Sequence, residues 1–333
     1  HKMRFGAMRG FGVPQVTFAG EQQLDEIAGR LGLDPAELRR RNAMGPQDTW
    51  FGGQALSSNG LEGCLRAVLE GSQWAAKRQA LPAAPGKRRG IGLALSGHIS
   101  GLLSSGAIVR LLEDGTAILN VGSVDIGQGS NTVLLQMCAE ALKLPLERVA
   151  IASQDTDGSP YNWGTTASRI TYVTGRSVIE ACQDIIAQAK VHASQMLGVP
   201  AEQLEHREGG VIGVVGDALK QVGLAAISGR AHWAVGGPLI GKHSWVFDTP
   251  TLDPKRAAAV VLPFPQIGVF CFGALVVEVE VDEASGKVKV LGAWSACDVG
   301  KAINPMMVRG QIEGAFIQGM GYALTEEMVW DGG

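Results

Sequence analysis

Five cysteines in 333 residues, with no CxxC pair among Cys64, Cys138, Cys182, Cys271 and Cys297, leave the sequence without a zinc or iron–sulfur motif. Their odd number and wide spacing also exclude a secreted disulfide framework and predict reduced thiols in the cytoplasm. No apolar run is long and uninterrupted enough to span a bilayer, and the opening HKMRF has no signal-peptide layout, so no membrane role is expected. Charge of one sign is scarce. A formal net charge of −3, without a long like-charge run, supplies neither a nucleic-acid footprint nor a charged tail. The GxGxxG fingerprint of a dinucleotide-binding turn is missing, as are internal repeats and low-complexity tracts. Position 1 is histidine and not an initiator methionine, which predicts that the chain begins inside a longer polypeptide.

What is present is a chain 46% hydrophobic and 18% charged, long enough for about two domains with buried cores. Leu24, Ile27, Ala28 and Leu31 share one helical face. LGLDPAELRRRN starts a second helix, with Asp34 as N-cap, Pro35 at the first helical position and Glu37 in capping-box register. Arg39, Arg40 and Arg41 close that helix, where positive charge suits the dipole. Trp74 to Lys87 reads as a linker. Beyond Gly90 the pattern turns to strands. AIVRLLEDGTAILNV is a hairpin with Asp114-Gly115 at its turn. ALVVEVEVDEASGKVKVLGAWSA is another, alternating Val277, Val279 and Val281 with Glu278, Glu280 and Asp282. Helices are predicted over 131–144, 168–197 and 305–327.

Three glycine- and amide-rich segments at helix starts carry the candidate chemistry. Gly127-Gln128-Gly129 sits between a strand and a helix, where free backbone N–H groups attract anions and the Gln128 amide both donates and accepts. GTTASR places Thr165, Thr166, Ala167 and Ser168 at a second helix start. The third segment, DVGKAINPMMVRGQIEGAFIQGMG, accepts Gly310, Gly314, Gly319 and Gly321 in a helix, each costing about 1 kcal/mol relative to alanine. Such glycines admit either a close helix–helix seam or a ligand. Gln311, Glu313 and Gln318 among them suit hydrogen bonding. Taken together, the three segments favour a large, oxygen-rich bound cofactor.

AMRGFGVPQ, DIGQGSNT, GTTASR and DVGKAINPMMVRGQIEGAFIQGMGYALTEE, in this order, resemble the molybdopterin-binding large subunit of the xanthine dehydrogenase and aldehyde oxidoreductase family. The resemblance covers nearly the whole chain. It implies an α+β fold of mixed sheets with packed helices. Residues 1–82 would be the C-terminal part of a first molybdopterin-binding domain, and 83–333 a second one lacking its C-terminal end. It implies a molybdenum cofactor, as molybdopterin or its cytosine dinucleotide form, held by Arg9, Gly127, Gln128, Gly129, Ala167, Ser168 and Gln311. No protein side chain of this segment would ligate the metal. The reaction implied is hydroxylation of an N-heterocycle or aldehyde with water as the oxygen source. Its electrons would leave through iron–sulfur clusters and FAD on partner subunits or domains. The assembled complex is expected to be a cytoplasmic dimer.

Phe11 matches an aromatic that stacks on the substrate ring. The bland alternatives are a core phenylalanine and, for Arg9, a surface ion-pair residue. Two departures from the family pattern stand out. The glutamate base of a GVGE-like motif and the glycine-rich loop of the first domain fall outside this sequence, and Glu326 and Glu327 do not replace the former. The chain is therefore expected to be inactive alone, and no catalytic residue is assigned within it. The second departure is Gly97-His98, where xanthine-oxidising relatives carry an aromatic and a small hydroxyl residue. His98 is a candidate for binding a substrate carboxylate or ring nitrogen, against a plain structural role. A non-catalytic cofactor-binding or subunit-packing module is the alternative reading of the whole.

Overall fold

The computed structural model describes residues 6, 8–45, 47–49, 56, 58–101, 103–246 and 269–329. Along the chain come helices α1 (Val13–Leu31), α2 (Pro35–Asn42), α3 (Leu61–Ser72) and α4 (Trp74–Gln79). Strands β1 (Lys87–Ser100), β2 (Ser105–Leu111) and β3 (Ala117–Val121) follow, then α5 (Ser130–Leu142) and β4 (Val149–Ile151). After a π-type turn at Ile170–Thr174 come α6 (Gly175–Leu197), β5 (Leu204–Arg207), β6 (Val211–Val214), β7 (Gln221–Gly223) and α7 (Leu224–Trp233). The last elements are β8 (Leu239–Trp245), β9 (Val269–Asp282), β10 (Val288–Cys297) and α8 (Pro305–Leu324). Among the described residues no helix is long and apolar enough to cross a membrane. The chain divides into two compact units, one built mainly from residues 1–99 and 269–333, the other from 100–249.

The first unit carries the sheet β1-β9-β10, with β9 and β10 antiparallel as the valine alternation predicts. Leu65 and Val68 of α3 and Trp74 of α4 pack against Leu93, Ala274 and Val276 to form its core. The alternation buries a different face from the one its valines suggest. Val277, Val279 and Val281 are only half-buried, whereas Glu278 is buried and receives Lys77 Nζ at 2.6 Å. A buried carboxylate is tolerated because a cation meets it there. The segment read as a linker at Trp74 is thus a short helix. The Trp74 indole is buried and donates to the Asp34 carboxylate at 3.1 Å. Asp34 caps α2 through the Ala36 N–H at 2.8 Å, while Glu37 pairs with Arg41 and makes no reciprocal capping bond. Arg39 is buried between Glu21 and Asp25, a structural role.

The second unit is built on the sheet β4-β3-β2-β8. β2 pairs antiparallel with both β3 and β8, and β3 pairs parallel with β4. The Asp114-Gly115 turn joins β2 to β3, with Gly115 at φ 80°. Val109, Leu111 and Leu119 meet Leu134 and Leu142 of α5 and Val178, Ile185 and Ala189 of α6 in one core. Each fully buried leucine is worth about 2 kcal/mol relative to exposure. β8 lies so close to α6 that a Cβ on Gly241 would sit 1.9 Å from the Ala181 carbonyl oxygen. β5, β6 and β7 form a separate small antiparallel sheet. His232 and His243 fall in α7 and β8.

Candidate functional site

Gly10, Phe11 and Gly12 have φ of 96°, 51° and 91°, three left-handed residues in a row just before α1. Phe11 pays a steric cost there that glycine would not. Its side chain is 74% exposed, which removes the core reading. Arg9 Nη2 donates to the Gln311 carbonyl at 2.8 Å and to Gln311 Oε1 at 2.9 Å. Arg9 therefore meets an amide, and among the described residues no carboxylate. Gln318 Nε2 donates to the Arg9 carbonyl at 3.2 Å. Gln311 and Gln318 are seven residues apart, two helical turns on one face of α8. Asn304 starts that helix by accepting the Met307 N–H at 3.1 Å, with Pro305 at its first position.

No residue of α8 is buried, and a Cβ at Gly310 or Gly319 would meet nothing within 4 Å. A Cβ at Gly314 would lie 3.4 Å from Arg9 Nη1. So among the described residues these three glycines line open space and the arginine, and a Cβ at Gly321 would meet the Glu326 carboxylate; no other helix packs on them. Gln311 Nε2 has no partner among the described residues, because Oε1 is turned to Arg9. His98 is half-buried in β1, where Nδ1 donates to the Ile99 carbonyl and Nε2 has no partner among the described residues. No hydrogen bond joins it to Arg9 or Gln311.

In the second unit, Gly127 and Gly129 are left-handed, at φ 102° and 84°, and α5 begins directly after them. Three of the N–H groups expected to face an anion are already taken. Asp125 Oδ1 accepts from Gly127 at 2.8 Å and Gly129 at 3.3 Å, and Oδ2 accepts from Asn131 at 3.1 Å. Burial alone would raise the Asp125 carboxyl, but these three backbone donors outweigh it and hold it below the ordinary value. Sequence reasoning passed over this residue. An aspartate two positions before a glycine turn is a familiar side-chain-to-backbone capper, so the signal existed.

What the turn does offer is Gln128. Its Oε1 accepts the Ile126 N–H at 2.8 Å, and its Nε2 is buried without a partner, like the Ser123 and Ser130 hydroxyls nearby. A buried donor left unmade costs about 1–3 kcal/mol, which is the mark of a missing acceptor.

The GTTASR segment is held to the GQG segment by Thr165. Its hydroxyl donates to the Val124 carbonyl at 2.7 Å and accepts the Val124 N–H at 3.1 Å. Ala167 and Ser168 both have φ 50°, and two consecutive left-handed residues with side chains cost about 1–2 kcal/mol each. Their N–H groups have no partner among the described residues. The helix predicted from 168 starts at Gly175 instead, after the π-type turn, a feature that recurs at functional sites.

The Gln128 and Gln311 amides and the N–H groups of Ala167 and Ser168 are thus among the donors that have no partner among the described residues, and of these four the Gln128 Nε2 is the buried one. Models of a molybdopterin cofactor-binding domain match residues 67–333 and 1–43. The chain belongs to the molybdopterin cofactor-binding domain family. It is similar to the putative xanthine dehydrogenase molybdenum-binding subunit of Escherichia coli K12, 34% identical over 98% of this chain and 42% of that one. A probable xanthine dehydrogenase subunit of Bacillus subtilis is 31% identical over 97% of the chain and 42% of its own length. The chain thus spans about two fifths of these curated relatives. Among solved structures, quinoline 2-oxidoreductase from Pseudomonas putida 86 superposes with a TM-score of 0.85 at 26% identity, covering 99% of this chain and 43% of that one. The aldehyde oxidoreductase of Desulfovibrio desulfuricans gives 0.76 at 27% identity, over 97% of this chain and 32% of that one. The α+β fold expected from the motifs is the fold of these molybdenum-cofactor enzymes. In the second unit the buried Gln128 amide suits the group the family binds, since a buried pterin bristles with ring and phosphate acceptors that need N–H partners.

Proposed function

We infer that this chain forms cofactor-holding parts of a molybdenum hydroxylase that oxidises an N-heterocycle or an aldehyde with oxygen from water. The supporting observation is the Gln128 Nε2, buried without a partner in a segment where the family resemblance puts the cofactor. Bound molybdopterin, or its cytosine dinucleotide form, supplies the redox-active metal. The amide of Gln128 and that of Gln311 donate to its acceptors. Arg9 fixes which end of the Gln311 amide faces outward and adds a positive charge beside it. Glycines 127 and 129 let the backbone turn so that only the Gln128 side chain is presented. Phe11, exposed on its left-handed turn, offers a flat apolar face to a substrate ring. His98, with Nδ1 tied to the Ile99 carbonyl, offers Nε2 to a substrate carboxylate or ring nitrogen.

In this reading residues 1–82 close a first cofactor-binding domain and 83–333 belong to a second. Partners are the remaining segments of the large subunit, an iron–sulfur subunit and a flavin subunit, in a dimeric cytoplasmic complex. The base that activates the oxygen comes from those remaining segments, so this chain alone does not turn over.

The test is to co-purify the chain with those segments and subunits, then measure molybdenum, pterin fluorescence and turnover of N-heterocycles and aldehydes. Stoichiometric molybdenum with turnover of either class is expected. A well-folded complex without molybdenum or pterin overturns the reading, and a loaded complex without turnover leaves the non-catalytic module.

A further inference from the structure

The geometry points to Arg169 as the positioning residue that holds the Ala167–Ser168 turn in its cofactor-facing conformation. This assignment rests on the proposed role of that turn. Arg169 follows Ser168 directly and is fully buried, one of the largest side chains in the molecule to lose all solvent contact. Burying a guanidinium is costly unless oxygens surround it. Here Nη1 donates to Asn162 Oδ1 at 2.9 Å and to the Gly164 carbonyl at 3.3 Å. Nη2 donates to the Ser104 carbonyl at 2.6 Å and the Leu103 carbonyl at 3.4 Å. One side chain therefore ties the segment entering GTTASR to the start of β2.

The partners are themselves fixed. Asn162 Nδ2 donates to Ser105 Oγ at 2.8 Å and Thr174 Oγ1 at 3.1 Å, and its Oδ1 also accepts the Gly164 N–H at 2.8 Å. Ser105 and Thr174 are fully buried and bonded to each other at 2.9 Å. Ser177, from the first turn of α6, donates to the Ser105 carbonyl at 2.7 Å. A satisfied buried polar network of this kind is rigid and tolerates few alternatives.

The consequence lies at the turn. A left-handed pair with side chains persists only where its surroundings over-determine it. Thr165 pins the entry to Val124, the Gly101 N–H holds the Ala167 carbonyl at 3.2 Å, and Arg169 pins the exit. Planarity and five donors in a fixed fork make arginine the side chain for this task, and lysine cannot reproduce it. Losing the fork lets Ala167 and Ser168 relax to φ below zero, which turns their N–H groups away from where they now stand.

The experiment compares wild type, Arg169→Lys and Arg169→Lys/Ala167→Gly in the assembled complex, reading molybdenum and pterin per complex, the melting transition, and KM against kcat. The expected result is loss of molybdenum and pterin by about tenfold in Arg169→Lys, in the range typical of outer-shell partners. Partial recovery is expected when Ala167→Gly removes the steric objection to the left-handed turn. Should Arg169→Lys fail to assemble, Asn162→Ser removes one of the oxygens that Arg169 meets, and a smaller loss of pterin is expected. Wild-type cofactor content and kinetics in Arg169→Lys, or in Asn162→Ser where only that variant assembles, overturn the proposal. So does a loss that Ala167→Gly leaves untouched, since that marks a general structural role. A wild-type complex devoid of molybdenum instead removes the functional reading beneath it, so the two failures are separable.

Discussion

Arg9 and Gln311 stand 302 positions apart in the chain, yet one guanidinium nitrogen donates to both oxygens of that single glutamine, at 2.8 and 2.9 Å. The pair clamps the turn before α1 onto α8, and Gln318 repeats the hold two turns further on. It also decides orientation, because an amide whose oxygen faces Arg9 must present its NH2 elsewhere.

Two substitutions at Gln311 separate holding from donating. Gln311→Glu keeps an acceptor for Arg9 but removes the outward NH2; Gln311→Leu removes both. Both are expected to lower molybdenum content of the assembled complex by about tenfold. Retention by Gln311→Glu alone, measured by metal analysis, would mean that the residue serves only Arg9.

Asp125 sets the shape of the GQG turn, so Asp125→Ala should cost about 1 kcal/mol and up to about 2, the usual worth of a helix cap. Its folded carboxyl lies below the ordinary value. The contribution is therefore complete above the unfolded value near pH 3.9 and fades as pH falls through the folded one. Urea unfolding of wild type and variant should differ at pH 7 and converge in acid. A gap that persists at the lowest pH would contradict this.

His206 acts in the same direction at a higher pH. Burial, with the Lys143 charge beside it, lowers its pKa below the ordinary value, and as a neutral ring it donates from Nε2 to the Leu142 carbonyl at 3.0 Å. The unfolded chain then binds the proton more readily. Stability should be full above about pH 6.5 and drop as pH falls from there toward the folded value. His206→Gln, which keeps a donor, is expected to flatten that part of the stability–pH curve. An unchanged slope refutes the assignment.

Gly241→Ala tests the packing of β8 on α6. The added methyl would meet the Ala181 carbonyl at 1.9 Å, against helix backbone that cannot swing aside. Overpacking of this kind costs about 1–3 kcal/mol or more, and calorimetry should register a melting point lowered by several degrees, about 2–4 °C per kcal/mol. Gly237→Ala, with open space around its Cβ but φ 92°, should be milder.

Much of the fold was legible locally. Two-residue alternation marked the β2–β3 and β9–β10 hairpins, and Asp34-Pro35 marked the start of α2, because period and cap chemistry reside in neighbouring residues. The ordered glycine and glutamine motifs led to the family. Tertiary structure decided the rest. Only the folded chain shows that Asp125 occupies the two glycine N–H groups that a lone GQG seemed to offer, and that Glu278 is more buried than the valines beside it. It also turns Trp74 from a linker residue into part of a core, and brings the Cys138 and Cys182 sulfurs to 3.6 Å across α5 and α6. Propensity and spacing report what a residue can do with its neighbours in sequence. Which donor finds which acceptor, and so which groups are left for a cofactor, depends on contacts as distant in the chain as Arg9 and Gln311, fixed only on folding.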